Sequence, residues 1–309
     1  MTRIGVVGAG RVGAVLAAAL RAAGHEIVAA AGESPASRTR IETLLPGVHV
    51  DKPTAVSRAC DLLLLTVPDD MLPNVVSMLA ASGAIRPGQR VVHTSGKHGL
   101  AVLGPAAHVG AEVLAMHPAM TFTGIDVDVD RLPGCVYGVT ASPATRGLAE
   151  GLVACLGGSI VWVDEDKRTL YHAGLAHGAN HLTTLVSQAM DLLRASGAAD
   201  PAATLRPLLT AALDNVLAYG DAALTGPIVR GDVETVRAHL ADIAVHEPAI
   251  LGSYVAMARA TANRAVADGR LLPIRAAKLV GILNDALPQA VAVPSTRPAV
   301  EATRPGRGA

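Results

Sequence analysis

The chain has 309 residues, enough for about two domains that each bury a core. Lys plus Arg and Asp plus Glu both number 26, so the composition indicates no basic surface for nucleic acid or for an anionic membrane. Half of the residues are hydrophobic, but the longest apolar runs are far shorter than the roughly 20 residues that cross a bilayer. We therefore expect a small-molecule partner, with no nucleic acid and no membrane.

The cysteines predict a reducing compartment. Cys60, Cys135 and Cys155 lie far apart and without the spacing of metal ligands, which is typical of thiols in an intracellular core. The first aliphatic run begins at Ile4, which leaves no room for a signal peptide. We expect a cytoplasmic protein.

Short aliphatic runs alternate with helical segments through the first half of the chain. Strands are predicted at residues 4–7, 27–30, 62–67, 90–93, 113–116, 136–139 and 160–163. Continuous apolar runs are typical of parallel strands that helices cover on both faces. Residues 1–165 are therefore predicted to form an α/β domain with a doubly wound, Rossmann-type sheet.

The strands end before residue 166. Helical periodicity over residues 171–195, 201–219, 233–239 and 248–267 predicts an all-α domain for substrate binding and dimerisation over residues 166–290. Residues 291–309 are rich in Pro, Gly and charge, and we expect them to be a disordered tail.

The first strand leads directly into a glycine motif and an Ala-rich helix. The motif consists of Gly8, Ala9, Gly10, Arg11, Val12 and Gly13. In this context Gly8 permits a tight turn, Gly10 lets the backbone approach a pyrophosphate, and Gly13 lets the helix pack closely on the strand. The motif predicts a dinucleotide site, since the phosphates bind at the helix N-terminus.

The residues after the second strand favour NADP(H) over NAD(H). Ser34 and Arg38 offer a hydroxyl and a guanidinium suited to a 2′-phosphate, whereas Glu33 stands slightly late for a ribose 2′-hydroxyl. The alternative is that Arg38 and Arg40 only begin a solvated helix.

Two further strand ends are expected to line the nicotinamide side of this cleft. Val67 and Pro68 end one of them, and Thr94 and Ser95 follow the next, at the carboxyl edge where open α/β sheets bind ligands. The alternative for Asp69 is that it only caps the helix that follows. His93 and Ser95 lack the pattern around a nucleophilic serine, so a turn or backbone-bonding role is the alternative for them.

Several segments together carry a family resemblance. They are the glycine motif, His-Thr-Ser-Gly at 93–96, His117-Pro118, the helix from Tyr171-His172 to Asn180, and residues 223–232. The chain resembles the 6-phosphogluconate-dehydrogenase-like superfamily and, more closely, a bacterial family with a Rossmann-like domain followed by a helical domain of formerly unknown function. Some members of that family look like alternative ketopantoate reductases of pantothenate biosynthesis. The resemblance implies NADPH-dependent reduction of a small oxo or imino acid.

The proton donor cannot be transferred by this resemblance. In hydroxyacid dehydrogenases of the superfamily a Lys precedes an Asn by one helical turn, but Ala176 stands there before Asn180. We expect Asn180 and Ser95 to orient the substrate and His172, two turns before Asn180, to act as the acid, with Lys167 second. The alternative is that His172 and Asn180 only make packing hydrogen bonds.

Three other histidines could bind a metal ion or the substrate. His177 and His181 have the spacing of two metal ligands on one helix face, but no third ligand is evident, so we expect no metal. His117 could bind a substrate carboxylate or hold the turn at Pro118.

A loop with turn-forming residues presents an arginine. Arg230 is expected to clamp the substrate carboxylate, with Thr225 adding a hydroxyl donor. The alternative is a surface pair with Asp232, or a helix cap by Asp232.

These residues favour an NADPH-dependent oxidoreductase that reduces a small carboxylated ketone, with 2-dehydropantoate as the candidate substrate. One alternative is an imine reductase of the pyrroline-5-carboxylate type, and another is a non-catalytic NADP(H)-binding regulatory protein. By analogy with superfamily relatives, the long Ala-rich helices favour a homodimer.

Overall fold

The computed structural model describes residues 1–286, so the predicted disordered tail lies outside the described residues. By internal contacts the chain divides into two compact units, residues 1–182 and the residues from 183 onward. The sequence suggested a boundary at 165/166, where the strands end. The division falls later, inside a long helix, because the first turns of that helix pack on the sheet of unit 1.

Unit 1 is built around one eight-stranded sheet of order β3-β2-β1-β4-β5-β6-β7-β8. This confirms the predicted α/β fold class. The strands are β1 (Arg3–Val7), β2 (Glu26–Ala31), β3 (His49–Val50), β4 (Leu62–Leu65), β5 (Arg90–His93), β6 (Glu112–Pro118), β7 (Val136–Ala141) and β8 (Ser159–Trp162).

The sheet differs from the predicted pattern at two places. The two-residue strand β3 was not predicted, because two residues carry no periodicity. β6 and β7 pair antiparallel, whereas every other pair is parallel. Residues 119–135 join them and contain one helix of only five residues, so the chain turns back beside β6 without a helical crossover over the sheet.

Helices cover both faces of this sheet. They are α1 (Arg11–Ala22), α2 (Pro35–Leu44), α3 (Pro53–Ala59), α4 (Leu72–Ala81), α5 (Gly104–His108), α6 (Val127–Arg131) and α7 (Arg146–Cys155). Within β4, Leu62 and Leu64 belong to the core on one face, and Leu63 and Leu65 to the core on the other. The strand reads as a continuous apolar run because both of its faces are buried.

Helix α8 (Arg168–Ala195) starts in unit 1 and continues into unit 2. Unit 2 also holds α9 (Pro201–Tyr219), α10 (Pro227–Arg230), α11 (Val233–His246), α12 (Leu251–Ala267) and α13 (Pro273–Asp285). Its core is aliphatic and includes Val236, Leu240, Val255 and Leu279. In residues 1–286 no helix is both long and apolar enough to cross a membrane.

Two helices of unit 2 were not predicted. The segment expected to be a loop around Arg230 contains the single turn α10, between Gly226 (φ +98°) and Gly231 (φ +73°), which is too short to show periodicity. Helix α13 begins at Pro273, and its buried residues include Leu279 and Leu283. The predicted helix at 233–239 extends to His246 as α11.

Candidate functional site

The glycine motif forms a tight turn between β1 and α1. Gly8 has φ +96°, and a Cβ there would lie 2.7 Å from the Val67 nitrogen. A Cβ on Gly13 would overlap the Thr66 hydroxyl and lie 2.7 Å from the Gly8 oxygen. The Thr66 hydroxyl donates a hydrogen bond of 2.7 Å to that oxygen. Two of the three glycines are therefore required by close packing of the turn, the helix and the end of β4.

Gly10 has a different role. The nearest atom to a Cβ built on Gly10 is the Gly8 oxygen, at 3.8 Å, so the space in front of this residue is open. Gly10 precedes α1, where backbone N–H groups and the helix dipole favour an anion. Of the other motif residues, Ala9 is buried, Val12 is half-buried and Arg11 is exposed. The open approach at a helix N-terminus fits a dinucleotide pyrophosphate.

A cavity of about 330 Å³ extends from this turn along the carboxyl edge of the sheet. Five residues predicted for the cofactor line it: Gly8, Gly10, Ser34, Val67 and Pro68. Pro53, Met71 and Val75 also line it and were not predicted, because an apolar wall has no sequence signature of its own. The cavity has the composition expected for a cofactor site, with apolar walls and polar groups at one end.

The polar end of the cavity is formed by the residues after β2. Glu33 and Ser34 both line it, and the Ser34 oxygen accepts a hydrogen bond of 3.1 Å from the Ser37 nitrogen, which caps α2. Arg38 is exposed on α2 and is not among the lining residues. Arg40 is half-buried, and its Nε would lie 2.6 Å from a Cβ on Gly124. Both arginines lie on the helix next to the polar end of the cavity, and the 2′-phosphate role of Arg38 stays a prediction.

The turn after β5 is held by a buried histidine. His93 Nδ1 accepts a hydrogen bond of 3.1 Å from the Ser95 nitrogen, so its Nε2 carries the proton and donates to the Gly99 oxygen at 2.8 Å. Burial is the main cause that lowers the pKa of His93 to about 4, so the ring is neutral. Ser95 Oγ accepts from the His98 nitrogen at 3.1 Å. The side chains of His93 and Ser95 thus hydrogen-bond to the backbone of this turn, which is the alternative role considered for them.

Beside this turn, three aromatic side chains converge at the carboxyl edge of the sheet. His117 Nδ1 and the Tyr171 hydroxyl lie 3.1 Å apart, and the His117 ring makes an edge contact with the His172 ring at 5.7 Å between centroids. A Cβ on Gly96 would lie 3.0 Å from His117 Nε2 and 2.5 Å from His172 Cδ2. The absence of a side chain at Gly96 therefore leaves room for both rings. We name His117, Tyr171 and His172 the aromatic cluster.

The charge environment of the aromatic cluster favours neutral His117. Burial lowers the pKa of His117 to about 4, and the positive charge of the nearby Arg168 acts in the same direction. Asp69, four residues after the end of β4, opposes this shift. Helix α4 begins at Leu72 without a side-chain cap, so the expected capping role of Asp69 is not observed.

Arg168 lies under the aromatic cluster, although it is charged. Its side chain is fully buried, and its guanidinium donates to the backbone oxygens of His98, Gly138 and Ser95. These bonds join the turn after β5, the strand β7 and the start of α8. Arg168 and the contact of Tyr171 with His117 were not predicted, because a buried arginine at a helix start has the same local sequence pattern as an exposed one.

The remaining candidates on α8 and its approach lie outside these contacts. Lys167 is paired with Asp166 at 2.8 Å with 62% of its side chain exposed, and the hydrogen bond to Asp166 raises its pKa. This is the wrong direction for an acid that works near neutral pH. Asn180 is exposed, two helical turns beyond His172. His177 Nδ1 and His181 Nδ1 lie 2.8 Å apart and share a hydrogen bond, and no third metal-ligating side chain within residues 1–286 joins them.

The predicted substrate-binding residues of unit 2 lie at its surface. Arg230 pairs with Asp232 at 2.9 Å with 63% of its side chain exposed, which is the surface pair considered as the alternative. Thr225 is exposed in the turn before α10. The Asp232 side chain does not cap α11. The role of Arg230 as a carboxylate clamp stays a prediction.

Comparisons with known proteins agree with this architecture. Residues 1–118 match the model of a Rossmann-like domain, and residues 135–261 match the model of a domain of unknown function, DUF2520. These two matches confirm the predicted resemblance to proteins with a Rossmann-like domain followed by a domain of unknown function. The link to ketopantoate reductases stays a prediction. The comparison with curated proteins gives no match.

Three solved structures have a similar fold. A proposed NADP oxidoreductase from Bacteroides fragilis is 20% identical, with a TM-score of 0.72 over 85% of this chain and 98% of that one. An imine reductase from Myxococcus stipitatus in complex with NADP⁺ is 18% identical, with a TM-score of 0.64 over 87% and 96%. A Thermotoga maritima protein is 17% identical, with a TM-score of 0.62 over 86% and 99%. At these identities the likeness shows a common fold.

Proposed function

We propose that the protein is an NADPH-dependent oxidoreductase that reduces the C=O or C=N bond of a small carboxylated molecule. The observation that carries this proposal is the position of two sites on one sheet edge. The cavity at the glycine turn includes Pro68 at the end of β4, and the aromatic cluster lies beside the ends of β5 and β6. Open α/β sheets bind dinucleotides and substrates at this edge. The names of the Bacteroides and Myxococcus proteins support the same reaction class.

The aromatic cluster supplies the groups that such a reduction needs. A bound reduced nicotinamide would supply the hydride. In our proposal His172 donates the proton to the substrate, because its ring stands over Gly96 at the surface of the cluster and is half-buried. His117, hydrogen-bonded to Tyr171, stays neutral and orients the neighbouring rings. Asn180 is retained as the residue that orients the substrate, and Ser95 as part of the supporting turn.

The choice of cofactor is NADP(H) in this proposal. Gly10 leaves the approach to α1 open, and Ser34 lines the polar end of the cavity. Arg38 and the half-buried Arg40 lie on the adjoining helix α2 and bring positive charge for a 2′-phosphate. Glu33 also lines the cavity and is the residue that would bind the ribose of NAD(H) instead.

Two substrate classes remain within the proposed reaction. 2-Dehydropantoate represents the carboxylated ketones. In the proposed complex Arg230 would give up its ion pair with Asp232 and bind the substrate carboxylate instead, together with Thr225. Cyclic imino acids of the pyrroline-5-carboxylate type represent the imines, and the likeness to an imine reductase supports them. Both substrates keep the carboxylate, so they differ at the reacting bond.

We also propose that the protein is a homodimer through α9. Only Pro201 and Leu205 are buried among its 19 residues. Leu208, Leu217 and Tyr219 are 64%, 78% and 68% exposed. A helix with large apolar side chains and almost no buried face requires a partner, and a second copy of the chain supplies one.

The test is NADPH oxidation with a panel of oxo acids and cyclic imino acids. We expect turnover with one class, a loss of kcat of at least tenfold in His172→Gln, and a rise in KM in Arg230→Ala. His177→Gln on the same helix and Arg237→Ala on the surface of unit 2 are the matched controls and should keep wild-type kinetics. Tight NADPH binding without turnover on the whole panel would refute the enzyme and support the regulatory alternative.

A further inference from the structure

The charge of Arg168 is buried without a carboxylate partner. Only 1% of the residue is exposed, and its three donor nitrogens bond to backbone oxygens, with His98 and Gly138 both at 2.9 Å. Within residues 1–286 it forms no ion pair. Glu165 and Asp69 act on it only from beyond ion-pair distance. The Glu165 carboxylate is instead bound to the nitrogens of residues 100 and 101.

Backbone oxygens solvate this charge but do not neutralise it. A carbonyl group is a dipole, so three of them stabilise the guanidinium while the net charge of the buried group stays positive. The centre of the Arg168 guanidinium lies 5.6 Å from the centroid of the Tyr171 ring. Tyr171 in turn contacts His117. The positive potential therefore reaches the aromatic cluster through a water-poor region, where screening is weak.

We infer that the positive charge of Arg168 determines whether the site favours a substrate group that becomes negative during reduction or one that is positive before it. Its buried cation, hydrogen-bonded to the backbone oxygens of Ser95, His98 and Gly138, makes the aromatic cluster favour a ketone over a protonated imine. This inference rests on the proposed function and assigns the substrate class within it. Arg168 acts here as a specificity-determining residue that touches the cluster and not the substrate.

The chemical difference between the two reductions gives this charge its effect. In ketone reduction the carbonyl carbon accepts a hydride, the C=O electron pair moves to oxygen, and that oxygen is negative until it takes the proton from His172. In imine reduction the nitrogen is protonated first, and the hydride then neutralises a cation. A fixed positive charge stabilises the first transition state and opposes binding of the second substrate.

The size of the effect follows from distance. The Tyr171 ring, whose centroid is 5.6 Å from the guanidinium, separates this charge from the substrate, so the reacting atom lies at a distance on the order of 10 Å. In surroundings with an effective dielectric constant of about 20, a unit charge at that distance changes an equilibrium or rate by roughly tenfold, and the favourable effect on the oxyanion and the unfavourable effect on the iminium ion act in the same direction on the preference. Removal of the charge should therefore shift the preference between matched substrates by about one to two orders of magnitude.

The experiment compares kcat/KM for 2-oxopentanoate and 1-pyrroline-2-carboxylate, which have the same carbon number and the same carboxylate. We expect the wild-type protein to prefer the oxo acid. Arg168→Lys keeps the charge and should keep this preference, whereas Arg168→Gln should lower the oxo-to-imino ratio by at least tenfold. Arg90→Gln removes an exposed charge at the other end of β5 and should change nothing. A ratio in Arg168→Gln within threefold of wild type overturns the inference.

A binding measurement covers the case in which Arg168→Gln fails to fold. With NADP⁺ bound, the wild-type protein should bind 2-hydroxypentanoate at least tenfold more tightly than proline, whose ring nitrogen is cationic. Equal binding, or tighter binding of proline, overturns the inference. If neither substrate is reduced although NADPH binds, the proposed function has failed, whereas equal binding of the two ligands is the separate result that overturns the inference.

Discussion

Gly13→Ala is expected to destabilise unit 1, although alanine is the better helix former. A Cβ at this position overlaps the Thr66 hydroxyl and lies 2.7 Å from the Gly8 oxygen, a distance that real Cβ atoms essentially never adopt. The helix α1 must move away from the end of β4, or Thr66 must rotate and lose its 2.7 Å hydrogen bond to Gly8. Either change opens the turn that the cofactor phosphates would contact.

The expected magnitude combines three contributions. Overpacking in a close-packed region costs about 1 to 3 kcal/mol. Loss of the Thr66 hydrogen bond costs about 0.5 to 1.5 kcal/mol. The higher helix propensity of alanine returns about 1 kcal/mol. The net loss in the free energy of unfolding is therefore about 0.5 to 3.5 kcal/mol.

Urea unfolding followed by tryptophan fluorescence measures this loss. The chain has one tryptophan, Trp162 in β8, so the signal reports unit 1. Gly10→Ala is the matched control. Its Cβ meets only the Gly8 oxygen at 3.8 Å, so its stability should stay within about 1 kcal/mol of wild type. We expect the same variant to bind NADPH at least tenfold more weakly, because the methyl group occupies the phosphate approach.

Two outcomes would refute this reasoning. A Gly13→Ala protein with wild-type stability would show that α1 does not need its close approach to Thr66. A Gly10→Ala protein with wild-type NADPH affinity would show that the phosphates do not lie at this turn. Adding Thr66→Ala to Gly13→Ala removes the closest overlap, so the double variant should lose less stability than the two single losses added together.

The other predictions concern pH, cofactor choice and assembly. Burial lowers the pKa of His93 and His117 from 6.5 to about 4. Between pH 6.5 and pH 4 these two histidines are therefore protonated in the unfolded chain and neutral in the folded chain. The free energy of unfolding should therefore fall as pH falls from 6.5 to 4, by about 1.4 kcal/mol per pH unit for each histidine. His117→Gln should flatten this slope in urea titrations, and an unchanged slope would contradict the assignment. Arg38→Ala should weaken binding of NADPH at least fivefold and leave NADH unaffected in isothermal titrations, with Arg58→Ala as control; equal losses for both cofactors would exclude a 2′-phosphate contact. Leu217→Asp should convert the dimer to monomer in light scattering, whereas Val245→Asp, equally exposed in unit 2, should not; a monomeric wild-type protein would refute the α9 interface.

The fold could be predicted well from the sequence because its signals are local. A parallel strand that is buried on both faces is a continuous apolar run, such as the four leucines of β4. Such a run can be recognised as a strand from the local sequence alone. The glycine motif is similar, since a tight turn and a close helix approach require Gly8 and Gly13 whatever surrounds them. Where a signal was too short, as in β3 and α10, the element was missed.

The candidate site could be predicted only in part. His117 and His172 were singled out for their chemistry, but nothing local indicated that Tyr171 joins them or that Gly96 leaves room for the rings. Lys167 and Arg168 are adjacent basic residues, and sequence reasoning selected the first. The structure exposes Lys167 and buries Arg168, because the start of α8 directs successive side chains to different sides.

The sequence by itself determined the layers of the fold, the position of the phosphate turn and the residue types available for proton transfer. These follow from periodicity and from backbone conformations that act over a few residues. The tertiary structure alone decided which of those residues meet. Ser95, His98, Gly138 and Arg168 are separated by up to 73 positions in the chain and form one hydrogen-bonded unit. The burial that gives this unit its charge environment is a property of the packed sheet and helices, and no segment of the chain carries it alone.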